Sequence, residues 1–536
     1  VAINAVRFDV RDYGAKGGGV IDDYIAFRKA LTKALSVNGE LFIPPGNYRI
    51  SNRLFVNAPV KITGVGDSSQ IFIDNDPASA IYLSNASNVT IRDLKIKSLA
   101  TVRNSSQECI YIIDSTNVIV DNVSCDGSAA TFALVRRSHE CVITNCNINN
   151  TLADGIHITD GSTGVIVSNN ILINTGDDSI AVVSYVGDGA YCEDVTITGN
   201  QITNSKSRGI THVGGKRVII TNNNINGTAS SGILVLRDGF YNTYAPYDTI
   251  VGNNILSNVG AVTPAGANRI GIEITTDATN VTVIGNNIIG GAFRGITATA
   301  TVVNLKVLFN TVTESGETAY QFTGVDGMGL SGNTSHLAYK YGIILDGITN
   351  SDVSNNRIYN SNTSATAGAD NIYLVGCSDT VLANNVSIDN RSTILAERGM
   401  EVNNCSGLVF SGNIIEVSTQ TAPFFSGTNA NHKRIGFFTV TSVPSMTYYA
   451  AGQQTFNLGD GLTYNFDGSV WTAIAVSGGG GGSTTTAEKL STLPAANAGN
   501  SGRLVVLLGG TNVPDRTYIC KKMGDNAYHW KQIDSK

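Results

Sequence analysis

A short phrase, apolar-x-apolar-x-x-Asn-x-apolar, recurs in this chain from Val89 to about Val417, and a repeat of that kind leaves few folds open. Val195-Thr-Ile-Thr-Gly-Asn200-Gln-Ile202, Val218-Ile-Ile-Thr-Asn-Asn223-Asn-Ile225 and Val281-Thr-Val-Ile-Gly-Asn286-Asn-Ile288 carry it, and versions ending at Val312 and Ile415 follow. Each phrase reads as two alternating strands meeting at a bend, where Asn or Gly accepts left-handed backbone angles. A third strand opening Gly-Ile completes the repeat at Gly155, Gly209, Gly232, Gly271, Gly295 and Gly342. Three short strands per turn predict an all-β chain wound as a right-handed parallel β-helix. In such a solenoid, equivalent Asn side chains can stack into hydrogen-bonded ladders. A β-propeller would lack the Asn bend, and a leucine-rich repeat would place Leu where Val and Ile stand here.

At 536 residues the chain exceeds one compact core, which suits a repeat architecture. Charged residues are only 15% but hydrophobics reach 42%, so burial rather than disorder is expected. A net charge of −6 without a basic block argues against a nucleic-acid partner. No apolar run is long enough for membrane insertion, and no signal peptide opens the chain. The eight cysteines show no paired metal spacing. Cys109, Cys125, Cys141 and Cys146 read as small buried hydrophobes, as in a chain folded in a reducing compartment. Neither a metal nor a cofactor is expected.

A solenoid needs its open ends covered. Residues 1–60 are expected to cap the N-terminus, with Asp22-Asp23 starting a helix whose Ile25, Phe27, Ala30, Leu31 and Ala34 share one face. The β-helix proper is expected over 61–431. Beyond it the rhythm stops, and 432–477 and 487–536 read as two copies of one small β module, joined by a Gly/Ser/Thr linker at 478–486. Trp471 and Trp530 with their tyrosines leave trimer assembly, capping and sugar binding open as roles.

Phe8-Asp-Val-Arg-Asp-Tyr-Gly14-Ala-Lys-Gly-Gly-Gly-Val-Ile-Asp22-Asp23, followed by Leu41-Phe-Ile-Pro-Pro-Gly46-Asn-Tyr48-Arg-Ile, resembles the opening of the pectate-lyase-like superfamily. Many of its members are bacteriophage tailspike depolymerases, and the likeness runs over about residues 7–420. It implies a homotrimer made in the host cytoplasm, attached to a virion tail through a segment upstream of Val1. It also implies action outside the cell on a bacterial capsular or related surface polysaccharide. The superfamily holds hydrolases, lyases and non-catalytic binders, so the reaction must be read from the site.

Asn150-Thr151-Leu152-Ala153-Asp154-Gly155-Ile156-His157-Ile158 is answered 24 positions later by Asn174-Thr175-Gly176-Asp177-Asp178-Ser179-Ile180-Ala181-Val182. Equal phase in a solenoid means stacking, which puts Asp178 about 4.8 Å from Asp154 with Asp177 beside them. Like charges that close raise one another's pKa, a cost that points to function. Glycosidic hydrolysis needs one protonated carboxyl for the leaving oxygen and one carboxylate to activate water or attack. Strict alternation would turn Asp154 and Asp178 inward with Ile156 and Ile180. Bends over Thr151–Asp154 and Thr175–Asp178 are therefore required to turn them out.

The two segments are similar to the Asn-Thr-Asp and Asp-Asp segments of polygalacturonase-type glycoside hydrolases. The resemblance implies Asp177 as general acid, with Asp154 and Asp178 as the bases that position water. The next coils depart from it: Ser207-Arg208-Gly209 stands for Gly-His-Gly, and Leu234-Val235-Leu236 for Arg-Ile-Lys. Those basic residues grip galacturonate in that family, so pectin is not the substrate implied.

The residues just before each third strand form one row, Glu108, Thr131, Asp154, Asp178, Arg208 and Ser231. A second row holds His157, Ala181, Thr211, Leu234 and Glu273. Substrate contacts are expected from Glu108, Arg208 and Arg237. His157 and His212 stand open between substrate contact and a hydrogen-bonded structural role. Insertions at Ser184–Tyr191 and Arg237–Tyr247 bring Tyr185, Tyr191, Tyr241 and Tyr244, whose rings could stack on pyranose faces. The reading is an endo-acting polysaccharide hydrolase. A β-eliminating lyase on a uronate glycan and a non-catalytic glycan-binding adhesin are the alternatives.

Overall fold

A computed structural model describes residues 6–73, 80–262, 269–291, 293–365, 368–417 and 423–435, and the backbone of short strands beyond. The chain is a parallel β-helix. One sheet stacks 15 parallel strands, from Leu54–Val56 to Phe424–Ser426, and holds every strand that opens Gly-Ile. The two strands of the Asn phrase build the other faces, each pairing with its counterpart one coil away. Glu193–Thr198 lies on Lys216–Thr221 with Val195 opposite Val218, and Gln201–Ser205 lies on Asn224–Thr228 with Ile202 opposite Ile225. In-register stacking gives each inward Val or Ile a like neighbour above and below, so the core runs the length of the solenoid.

At the bend the two polar residues divide the work. The residue before the recurrent Asn takes the left-handed conformation: Gly199, Asn222 and Gly285, and even Phe309, at φ 69°, 58°, 68° and 55°. The Asn itself points inward. From Asn170 through Asn200 and Asn223 to Asn413, each Nδ2 donates to the next Oδ1 at 2.9–3.0 Å. A buried amide left unpaired costs about 1–3 kcal/mol, and the ladder satisfies each one through its neighbour. Cys146 ends the row, donating its backbone N–H to Asn170 at 2.9 Å. Cys109, Cys125, Cys141 and Cys146 are buried and unbridged, and burial pushes the Cys141 and Cys146 thiols up to about 12.

The N-terminal helix, Tyr24–Ser36, buries Ala26, Phe27, Ala30, Leu31 and Ala34. Ile25, placed on that face by sequence, is 47% exposed, and Ala26 takes the inward position instead. Only one of the two aspartates caps. Asp22 accepts the Tyr24 N–H at 3.0 Å, while buried Asp23 accepts from the Lys16 and Gly17 N–H groups at 2.6 and 3.0 Å.

Beyond the helix, Thr439–Val440, Gln454–Asn457, Thr463–Phe466 and Trp471–Ala473 form one four-stranded sheet. Glu488–Leu490, Leu504–Leu507, Arg516–Lys522 and Tyr528–Gln532 form a second. Both pair in the same order, once parallel and then twice antiparallel. The linker 478–486 and the side chains of both Trp residues lie outside the described residues. No helix among the described residues is long and apolar enough to cross a membrane.

Candidate active site

Both acidic segments begin at a left-handed Asn, Asn150 at φ 59° and Asn174 at φ 56°. Each then bends on a buried threonine: Thr151 Oγ1 donates to the Ala153 carbonyl at 2.8 Å, and Thr175 Oγ1 to the Asp177 carbonyl at 3.1 Å. These bends free Asp154 and Asp178 from the inward parity of Ile156 and Ile180. Gly155 follows because the coils close tightly there. A Cβ would meet the Ser179 carbonyl oxygen and a Leu172 methyl at 2.5 Å each.

One oxygen from each of Asp154, Asp177 and Asp178 lies within 4.8 Å of the others. Among the described residues, this is the one grouping of three or more acidic, His or Cys ligands close enough to share a cation. Asp154 Oδ2 lies 2.5 Å from His157 Nδ1. Asp178 accepts the Arg208 backbone N–H at 3.0 Å and the Thr211 hydroxyl at 2.7 Å, with the Arg208 guanidinium at 3.6 Å. Asp177 is the open member: its side chain is 34% exposed and meets the Arg103 guanidinium at 3.0 Å. Burial, and then the Asp154 charge, push the Asp178 carboxyl up to about 6, against the pull of Arg208. Burial alone would lower the His157 pKa. The hydrogen bond and charge of Asp154, with Asp178 and Asp177 behind it, outweigh burial and raise it.

Strand register aligns Ile110, Ala133, Ile156, Ile180, Ile210 and Ile233. The row two residues earlier therefore runs Glu108, Thr131, Asp154, Asp178, Arg208, Ser231, one residue per coil. His157, Ala181, Thr211, Leu234 and Glu273 form the second row, as expected. Glu108 is buried two coils from Asp154, and Glu273 accepts the Ser231 hydroxyl at 2.6 Å.

One candidate contact is corrected. His212 is fully buried, because it lies two residues past Ile210 and shares its inward parity. Its Nδ1 lies 3.2 Å from Thr249 Oγ1, and burial lowers its pKa to about 4, so it faces the core and not a substrate. Arg237 is 46% exposed and pairs with Asp277 at 2.7 Å. Arg103 was missed: it reaches Asp177 across 74 residues of sequence from a loop, with no motif to mark it.

The two insertions pair with each other. Tyr185 and Thr243 form an antiparallel bridge, the Val186 N–H donates to Asn242 at 2.9 Å, and the Tyr244 N–H to Ser184 at 3.0 Å. The Tyr191 and Tyr244 rings stack at 4.2 Å. Half-buried Tyr185 has its pKa raised by burial first, and then by the nearby Asp154, Asp188 and Tyr241.

Residues 7–234 match the family model described as rhamnogalacturonase A/epimerase, pectate lyase-like. Residues 184–312 and 303–435 match that of the right-handed β-helix region. The fold is a right-handed parallel β-helix. A pre-neck appendage protein of Bacillus phage B103 is 25% identical over 309 residues, covering 52% of this chain and 33% of that protein. The chain thus spans only a third of that relative. The Agl-KA catalytic domain superposes with a TM-score of 0.50 at 20% identity, covering 80% of this chain and 69% of that one. A GH87 α-1,3-glucanase catalytic-domain variant in complex with nigerose gives 0.50 at 19%, covering 66% and 67%. At these identities the likeness is one of fold.

Proposed function

We propose that this chain is a phage-borne glycoside hydrolase that cuts a bacterial surface polysaccharide internally, at Asp154, Asp177 and Asp178. The observation that carries the reading is the convergence of three carboxylates within 4.8 Å, two buried and hydrogen-bonded and the third open to solvent. Carboxyls this close hold a proton that isolated ones would release near neutral pH. Asp177, the exposed member, takes the general-acid role toward the leaving glycosidic oxygen once substrate displaces Arg103. Asp154 and Asp178 supply the carboxylate that activates a water or attacks the anomeric carbon itself, and water leaves its hydroxyl on the new reducing end by either route. His157 and Thr211 fix the two bases in place.

The phage appendage relative supports a virion setting, and a homotrimeric tail component is the assembly proposed. Two of the similar α-1,3-glucanase structures carry Asp→Ala substitutions 24 residues apart, the separation of Asp154 and Asp178. Hydrolysis is the reading preferred to β-elimination because three carboxyls converge at one spot, the groups that acid–base cleavage of a glycosidic bond requires.

The test is incubation with purified capsular polysaccharides and a soluble α-1,3-glucan, following reducing ends and the ultraviolet absorbance of unsaturated uronates together. Reducing ends without absorbance are expected. Absorbance would move the case to a lyase, and binding without release to an adhesin.

A further inference from the structure

The four tyrosines expected to meet substrate divide in the structure. Tyr191 and Tyr244 stack on each other, one from each insertion, and so tie the insertions together. Tyr185 is half-buried beside Asp154. Tyr241 remains open at 62% exposure, and next to it in the same insertion stands Phe240 at 89%. Their rings are perpendicular, with centroids 4.9 Å apart.

The turn that carries these two rings is pinned. One Asp238 carboxylate oxygen accepts the backbone N–H of Phe240 at 2.8 Å and of Tyr241 at 3.1 Å. Thr243 Oγ1 accepts the Asp238 N–H at 2.8 Å, and the Thr243 N–H returns to the Asp238 carbonyl at 3.0 Å. Thr243 also bridges to Tyr185, whose hydroxyl senses both the Asp154 carboxylate and Tyr241. An exposed aromatic pair on a turn this constrained forgoes burial while its backbone is set before any ligand arrives. That arrangement suits stacking, because little backbone entropy is left to lose on binding. The single arginine of the insertion, Arg237, is paired with Asp277, so the turn offers ring faces and no unpaired guanidinium.

We infer that Phe240 and Tyr241 form an aromatic platform for an uncharged pyranose unit of the polysaccharide whose backbone the carboxylate cluster cuts, which rests on the hydrolase reading. The platform adds a sugar contact to those made at the carboxylates. Tyr191 and Tyr244 brace the insertions that present it.

The test is affinity electrophoresis of the Asp177→Asn/Asp178→Asn protein in gels containing the same capsular polysaccharides and α-1,3-glucan. Adding Phe240→Ala is expected to weaken retardation about tenfold, the loss of one ring stack, with an unchanged melting temperature. Phe240→Trp is expected to retain retardation. Tyr244→Ala is expected to lower the melting temperature, as loss of a brace should. Retardation unchanged by Phe240→Ala overturns the platform and leaves the hydrolase standing. Absence of both retardation and wild-type cleavage across the whole panel overturns both.

Discussion

Two carboxyl clusters stand on the same sheet and in the same two rows. Asp370, two residues before Ile372, occupies the row of Asp154, and Glu401 the row of His157. The first cluster has an exposed member and a hydrogen-bond donor for Asp154 and for Asp178. The second is centred on a buried pair, Asp370 and Glu401, with Glu397 its exposed neighbour. Asp370 is fully buried with no donor to either oxygen, Glu401 is held by Arg398 and by the Ser426 hydroxyl, and Arg398 also reaches Glu397 at 2.9 Å. Burial, then the hydrogen bond to Glu401, pushes the Asp370 carboxyl up to about 8. Asp370 therefore carries a proton and donates it to Glu401. The lesson is that carboxylate proximity alone does not make a site. The cluster with an open member can pass a proton to a ligand, and the buried pair spends its proton holding coils together.

If that division is right, stability and activity separate. Glu401→Ala is expected to destabilise by about 1–3 kcal/mol, because it leaves the buried Asp370 and the Ser426 hydroxyl without their partner, while cleavage per folded molecule is unchanged. Asp177→Asn is expected to leave stability within about 0.5 kcal/mol. Denaturant melts of both variants check this, and equal losses would erase the distinction.

The pH dependence comes next in size. A carboxyl whose pKa is raised from 3.8 to about 8 binds its proton more tightly in the native state, so its contribution is full below pH 3.8 and is lost as pH rises through 8. Asp370→Asn, which donates to Glu401 at every pH, is expected to flatten the stability curve over that window. Melting temperatures across the range decide it, and an unchanged slope would put the proton elsewhere.

Much of this was legible in the sequence because a solenoid turns spacing into contact. The 24-residue echo placed Asp178 under Asp154, and the residue before each Gly-Ile named the row correctly. Parity also held the signal for His212, since it lies two positions past an inward Ile. What could not be read were contacts outside the stack. Arg103 comes from a loop 74 residues from its partner, and Asp277 meets Arg237 across an insertion whose path no periodicity fixes. Nor could sequence separate the open cluster from the buried pair, because both present acids at the same phase.

Smaller effects sharpen the first cluster. Thr211→Val removes the 2.7 Å hydrogen bond that favours the ionised Asp178, so the acid–base titration near 6 is expected to move toward higher pH in a pH–rate profile. Arg103→Gln removes an exposed pair, and a stability change under about 1 kcal/mol is expected in denaturant melts.

The most direct measurement compares two double variants, Asp177→Asn/Asp178→Asn and Asp370→Asn/Glu401→Gln, for reducing-end release from the polysaccharide that the wild type cuts. A loss of about a thousandfold or more in the first and less than about twofold in the second is the expected result. Cleavage that survives in the first, or vanishes in a folded second, would contradict the assignment of the chemistry to Asp154, Asp177 and Asp178.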